Sequence, residues 1–230
     1  MSTPAHERPP LVEYPDSDGE PMADNTEQFE FIQLVQGNLD SLLPDFVAGD
    51  HLWYPVEGHP EIRRAPDVYV AMGRPKGHRG SYRQWVEDGV PLTVVFEWWS
   101  PNSTFSRELL THQFYERHGV RELYTWSQVR REFSAFVRNG DRLEPVDTSE
   151  GWTSPLLHIR FEVVDGALQI YRPDGTPFRS FRELQAERDA AAAERDAAAA
   201  ERDAAAAERD AALARAEALA ARLRALGIDP

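Results

Sequence analysis

Leu92–Trp99 (LTVVFEWW) constrains this chain more than any other stretch. It has the length and the β-branched and aromatic content of a buried strand. Its one charged residue is Glu97. A carboxylate in such a run is costly to bury unless it is paired, protonated or bound to a metal. The strand runs into Ser100–Thr104 (SPNST), a turn that can also start a helix. A carboxylate at the end of a buried strand, just before a helix, suits chemistry. It equally suits a structural glutamate paired with an arginine, and the stretch alone does not choose.

The rest of the composition sets bounds. At 230 residues the chain holds one domain of ordinary size and an appendage. A net charge of −14 argues against a general affinity for nucleic acid, because like charge repels phosphate, yet it leaves room for a local basic cleft. The absence of cysteine excludes disulfides and cysteine-ligated zinc or iron–sulfur sites. No apolar run reaches the ~18 residues of a spanning helix, and the first residues lack the apolar core of a signal peptide. A cytoplasmic protein with no membrane partner is expected.

Residues 1–25 are rich in Pro, Asp, Glu and Ser and read as a disordered lead-in. Thr26–Leu43 reads as a helix, with Phe29, Ile32, Val35, Leu39, Leu42 and Leu43 as its apolar stripe and Pro44 as its end. Phe46–Tyr54 reads as a strand bent at Gly49, and Arg64–Met72 holds a second, with Asp67 directly after Pro66. Gly73–Arg83 (GRPKGHRGSYR) is glycine-rich and basic, with Arg74, Lys76, His78, Arg79 and Arg83. It reads either as a solvated loop or as one that contacts nucleic-acid phosphates. It is not a P-loop, because GxxxxGK[ST] is missing.

After the central strand, Phe105–His118 reads as a helix closed by Gly119. Leu109, Leu110 and Phe114 are expected to face the core, while Arg107, Glu108, Thr111 and Tyr115 share another face. His112 and His118 are expected at the surface. Glu122–Trp126 reads as a short strand, Phe133–Val146 as a hairpin turning at Asn139–Gly140, and Leu156–Val164 with Ala167–Tyr171 as another turning near Asp165–Gly166.

From about Phe178 the chain changes character. Glu-Arg-Asp-Ala-Ala-Ala-Ala repeats from Glu187, Glu194 and Glu201, with a variant from Glu208. This is a seven-residue period of strong helix formers. Its charges are adjacent, so the usual i,i+4 ion pairs do not form within the repeats. Ala190, Ala193, Ala197, Ala200, Ala204 and Ala207 keep a 3–4 spacing that permits a close-packed seam, while Leu219, Leu223 and Leu226 follow another register. A helix over 178–226, roughly 70 Å long, is expected, either alone or, as preferred here, in a homo-oligomer. The resulting division is 1–25, 26–177 and 178–230.

Residues from about 27 to 183 resemble the Uma-two family of endonuclease-like proteins, in the PD-(D/E)XK restriction-enzyme superfamily. The stretches GDHLWYPVEG, RRAPDVYVAMGRPKGHRGSYRQW, VVFEWWSPNST and FYERHGV followed by RELY carry the resemblance. EGWTSPLLHIRFEV, LQIYRPDGTPF and the closing LRALGIDP add to it. The resemblance implies an α/β (α+β) fold, a mixed sheet with flanking helices, and a divalent-metal site at the strand ends. Asp67 falls at the aspartate of the PD motif and Glu97 at the acid of (D/E)XK. With the main-chain carbonyl of Trp98 they would hold Mg²⁺ or Mn²⁺ for cleavage of DNA. The residues alone single out Glu97 but do not separate Asp67 from Asp50.

The chain departs from the family's pattern at the lysine, which commonly lies one turn before the tyrosine of the FYERxGV-like stretch. That tyrosine is Tyr115, and the lysine position is Thr111. Ser127 likewise stands where the family often has an aspartate. Arg107 or Lys76 could substitute as a cation, but an arginine stays protonated and cannot act as a base. Two functions therefore stay open: a metal-dependent DNA endonuclease, weakened at Thr111, and an inactive nuclease-fold protein that binds DNA or protein through its long helix.

Overall fold

The structure is a computed structural model that describes residues 12–19 and 23–225. Expectations for residues 1–11, 20–22 and 226–230 lie outside the described residues. Two compact units divide between Arg179 and Ser180.

The first unit begins with helix α1 (Thr26–Leu42), followed by β1 (Asp45–Gly49), β2 (Trp53–Tyr54), β3 (Val68–Pro75), β4 (Tyr82–Arg83) and β5 (Val94–Trp99). Helix α2 (Phe105–Arg117) leads into β6 (Glu122–Ser127), β7 (Glu132–Asn139) and β8 (Arg142–Pro145). The short strands β9 (Trp152–Thr153), β10 (Arg160–Val164) and β11 (Ala167–Tyr171) complete it. The main sheet has the order β1-β3-β5-β6-β7-β8. Within it β5 and β6 are parallel and every other neighbouring pair is antiparallel. A parallel pair cannot be joined by a tight turn, and α2 supplies the crossover between β5 and β6. This is the mixed sheet with helices that the sequence led us to expect.

Alternation along the strands divides the core. Val68, Val70, Val94, Phe96, Tyr124 and Trp126 face the layer formed by α1 and the β9–β11 sheet. Tyr69, Ala71, Val95 and Leu123 face the other way, with Tyr115 of α2 and Trp53. The period of two explains why β5 reads as apolar throughout: both of its faces are covered.

Several expectations need adjustment. In α1 the buried stripe starts at Phe31 and continues through Ile32, Val35 and Leu39, while Phe29 is 39% exposed. The helix is phased by what it covers rather than by its first aromatic residue. The strand expected to bend at Gly49 instead ends there. A Cβ on Gly49 would stand 2.8 Å from Ile32 Cγ2 and 3.0 Å from the Asp67 carbonyl oxygen, so the missing side chain lets α1 and the backbone entering β3 pack closely at this corner. Leu109 and Leu110 were expected in the core but are 44% and 62% exposed, and α2 buries Thr111 and Tyr115 instead. His112 and His118 are half-buried against Phe136 and against Trp53 and Phe114. Both hairpins form; in the second, Asp165 and Gly166 both have positive φ (52° and 72°), as a tight two-residue turn requires.

Residues 12–19, read as part of a disordered lead-in, have no helix or strand but lie against the domain. The Tyr14 ring packs edge-on against Tyr54 at 5.2 Å, and the Tyr54 hydroxyl donates to the Pro15 carbonyl at 2.7 Å.

The second unit is helix α3 (Phe181–Ala225), 45 residues with none buried. Ser180 and Glu183 cap it reciprocally: the Ser180 amide donates to the Glu183 carboxylate at 2.7 Å, and the Glu183 amide donates to the Ser180 hydroxyl at 3.3 Å. Arg195 and Arg202 turn back to the Ala191 and Ala198 carbonyls, as adjacent charges within the repeat imply. Among the described residues no helix is long and apolar enough to cross a membrane.

Candidate active site

Asp67 and Glu97 meet because of strand register. β3 and β5 pair Tyr69 with Val95 and Val68 with Phe96, so one further step sets Asp67 opposite Glu97 on the face that α2 covers. Both are buried, at 7% exposure each. Two donors orient Asp67: the Gln28 amide side chain bonds Oδ1 at 2.7 Å, and the Trp98 main-chain N–H bonds Oδ2 at 2.5 Å. Glu97 Oε1 accepts from the Tyr115 hydroxyl. That phenol is fixed by the Trp53 ring, stacked on it at 6.4 Å and 8°. The need to bring Tyr115 onto Glu97 and Trp53 sets how α2 is turned, at the expense of its leucines.

Burial controls the electrostatics. Desolvation pushes the Asp67 carboxyl up to about 7, with Asp50 and Asp24 adding to it, while the bonds from Trp98 and Gln28 pull the other way. Glu97 is pushed up to about 8, first by burial and then by the Asp67 charge; Tyr115, Arg64 and Arg107 oppose that. Asp50 is raised to about 6 by burial and by Asp18. Among the described residues neither carboxyl has an ion-pair partner, and two such groups at one site cannot both ionise freely at neutral pH.

Asp67, Glu97, Trp98, Arg107 and Thr111 all border one cleft of about 720 Å³. Thr111 is 1% exposed, and its hydroxyl donates to the Arg107 carbonyl at 2.8 Å. Among the described residues, no group of three or more His, Cys, Asp or Glu side chains is arranged to hold a metal ion. Any metal at this site therefore rests on the two carboxylates and on neighbouring neutral oxygens. Ser127 is buried and accepts from the Arg130 amide at 3.2 Å.

The basic loop lies elsewhere. Arg74, Lys76, His78 and Arg79 do not border the cleft. Arg74 and Arg79 both pair with Glu87, at 3.0 and 2.6 Å, and Arg79 also lies 4.0 Å over the Phe46 ring. Lys76 pairs with Asp40 at 3.1 Å, and His78 is exposed. Much of the positive charge that marks this loop in the sequence is thus matched by carboxylates.

Sequence reasoning passed over several residues of the cleft, Gln28 and Arg64 among them. Gln28 carries no charge, and its spacing on α1 does not point to Asp67. Arg64, which also borders the cleft, offered no signal beyond its charge shortly before Asp67.

Comparison with known proteins follows the same lines. The model of the Uma2 family, described as "Putative restriction endonuclease", matches residues 5–163. It takes in the motifs from GDHLWYPVEG to EGWTSPLLHIRFEV, while LQIYRPDGTPF and the chain's end fall outside it. No curated protein matches the chain. Among solved structures, the crystal structure of "a putative nuclease belonging to DUF820" from Anabaena variabilis ATCC 29413 is similar. It shares 10% identity over 56% of this chain and 69% of that one, with a TM-score of 0.38.

Proposed function

Because the chain belongs to the Uma2 family of restriction-endonuclease-like proteins, we propose that it is a metal-dependent endonuclease hydrolysing DNA phosphodiester bonds at the cleft over Asp67 and Glu97. The observation that carries this reading is the pair itself: two buried carboxyls one step beyond the Val68–Phe96 pairing of β3 and β5, and burial pushes both of them up. A structural acid pair of this kind destabilises the fold, whereas a divalent cation would relieve the repulsion and displace the protons.

The donors suit a hard cation. Asp67, Glu97 and the Trp98 main-chain carbonyl offer only oxygen, as Mg²⁺ or Mn²⁺ prefers, with water and substrate phosphate filling the remaining positions. Such an ion, when bound, would polarise the phosphate and acidify a water. The protein's own part is positioning. Gln28 and the Trp98 amide fix the plane of Asp67, Tyr115 holds Glu97, and Arg107 adds positive charge at the wall. In the hydrolysis, water oxygen forms a bond to phosphorus and one P–O ester bond breaks. One DNA end keeps the phosphate, and the other leaves as an alcohol carrying a proton from the water.

Thr111 favours a second reading. Its hydroxyl carries no positive charge to set against the developing phosphorane, and its proton is already donated to the Arg107 carbonyl. A binding-only nuclease-fold protein fits that, with α3 as its route to self-association. Incubation of supercoiled plasmid with Mg²⁺ or Mn²⁺ separates the two. Nicking that vanishes in Asp67→Ala and Glu97→Ala, by about a hundredfold or more, supports the enzyme. Nicking that persists in both variants places the chemistry elsewhere. Absence of nicking in the wild type, with DNA still bound, supports the binding protein.

A further inference from the structure

We propose that Arg64 grips the substrate phosphate that lies against Asp67 and Glu97, an assignment that rests on reading the cleft as a phosphodiester-cleaving site. Arg64 borders that cleft. Its backbone is pinned to Trp53 in both directions: Trp53 N–H donates to the Arg64 carbonyl at 2.8 Å, and Arg64 N–H donates back at 3.2 Å. The guanidinium carbon stands 5.3 Å from the centre of the Phe114 ring, on α2 next to Tyr115 and one turn beyond Thr111. Backbone and ring thus hold the side chain at a defined place on the cleft wall.

What the side chain lacks is an acceptor. Its Nε is buried and has no hydrogen-bond partner. Three other partly buried arginines of this unit are satisfied: Arg74 and Arg79 by Glu87, and Arg138 by the Val120 and Glu116 carbonyls. Among the described residues no carboxylate forms an ion pair with Arg64, although its charge acts on Glu97 and Tyr115. A ring contact leaves N–H donors unmet, and a buried donor without a partner is unfavourable. A held guanidinium that borders the cleft of Asp67 and Glu97, acts on Glu97 and is bonded to neither suits a doubly contacted phosphate, whose oxygens match the fork. Arg107 shares the cleft but is exposed and lacks that anchoring.

The test uses the full chain and a labelled 20-base-pair DNA duplex in Ca²⁺, with affinity followed against salt. Arg64→Met should bind about tenfold more weakly and lower the salt slope by about one phosphate contact. Its melting shift with Mn²⁺ alone should remain. Adding Thr111→Lys, which brings a cation to the same cleft, should recover most of the lost affinity; a merely structural arginine would not be rescued so. A folded Arg64→Met with unchanged affinity and salt slope, or without rescue by Thr111→Lys, overturns the assignment. Should Arg64→Met not fold, Arg64→Gln takes its place under the same criteria. If neither neutral variant folds, Arg64 is structural and the assignment is wrong. A wild type that binds no duplex sinks the reading of the cleft as well, whereas a binding wild type with indifferent Arg64 variants sinks only this assignment.

Discussion

Glu87 and Glu97 are both buried glutamates of the first unit, and they are held in opposite ways. Glu87 lies between two arginines, Arg79 at 2.6 Å and Arg74 at 3.0 Å, and the bond from Arg79 holds its carboxyl below the usual range. Glu97 faces another acid, has a tyrosine as its hydrogen-bond donor, and is pushed up to about 8. The first arrangement is complete as it stands. The second is complete only with a proton or a cation. Unmet electrostatics, rather than the presence of charge, separates a candidate site from a structural one.

The largest effect should come from making Glu97 resemble Glu87. Thr111→Lys places a cation in the acid cleft. It should lower the Glu97 carboxyl below about 8 and, if the cleft cleaves DNA, raise plasmid nicking by up to about a hundredfold. Unchanged nicking in a folded variant that still binds metal would mean that a missing cation is not what limits this protein.

The reverse change is Glu87→Gln, which removes the negative charge and one of the two acceptor oxygens that Arg74 and Arg79 use. It should cost about 2 kcal/mol, or several degrees in melting temperature for a unit of this size. It should leave nicking unaltered, because Glu87 does not border the cleft. An equal loss of activity and stability would tie the basic loop to function.

Acidity offers a finer contrast. The raised carboxyl of Glu97 contributes stability that is fully present below its ordinary value of 4.5 and is lost as pH rises through about 8; Asp67 behaves alike from 3.8 through about 7. Glu87, lowered, contributes stability present above 4.5 and lost as pH falls through its folded value. Without metal, the melting temperature should therefore decline from about pH 5 to 8. Glu97→Gln should flatten that decline and Glu87→Gln should not. Mn²⁺ should stabilise the wild type increasingly over the same interval, because fewer protons compete. A metal-free melting curve that rises with pH would count against the acid pair.

The smallest effect is expected from the helix. Truncation after Glu183 should leave the melting temperature of the first unit unchanged, since its core precedes α3. Light scattering should show the full-length mass falling to that of a monomer on truncation. A monomeric full-length protein at high concentration would remove the self-association reading.

The elements legible in the sequence were those that a short window defines. β5 follows from its run of β-branched and aromatic residues, the second hairpin from Asp165–Gly166, and α3 from its repeat. Glu97 stood out because it is the one charge in an apolar strand. Asp67 did not, since Asp50 offered the same local cues and only the family resemblance chose between them. In the fold both border the cleft, but it is Asp67 that register sets opposite Glu97. The face that α2 buries was misread because leucines suggest a core. The phenol of Tyr115 and the Trp53 ring decided otherwise.

The sequence by itself therefore determined the existence and type of the main elements, and the family. Propensity and periodicity act over a few residues and need no partner. Only the tertiary structure decided which charges are spent and which remain available. Glu87 lies 13 residues from Arg74, and Glu97 lies 30 residues beyond Asp67. Whether such charges meet depends on strand register and helix phase, and their acidity depends on how far packing excludes water. No window on the chain contains either quantity.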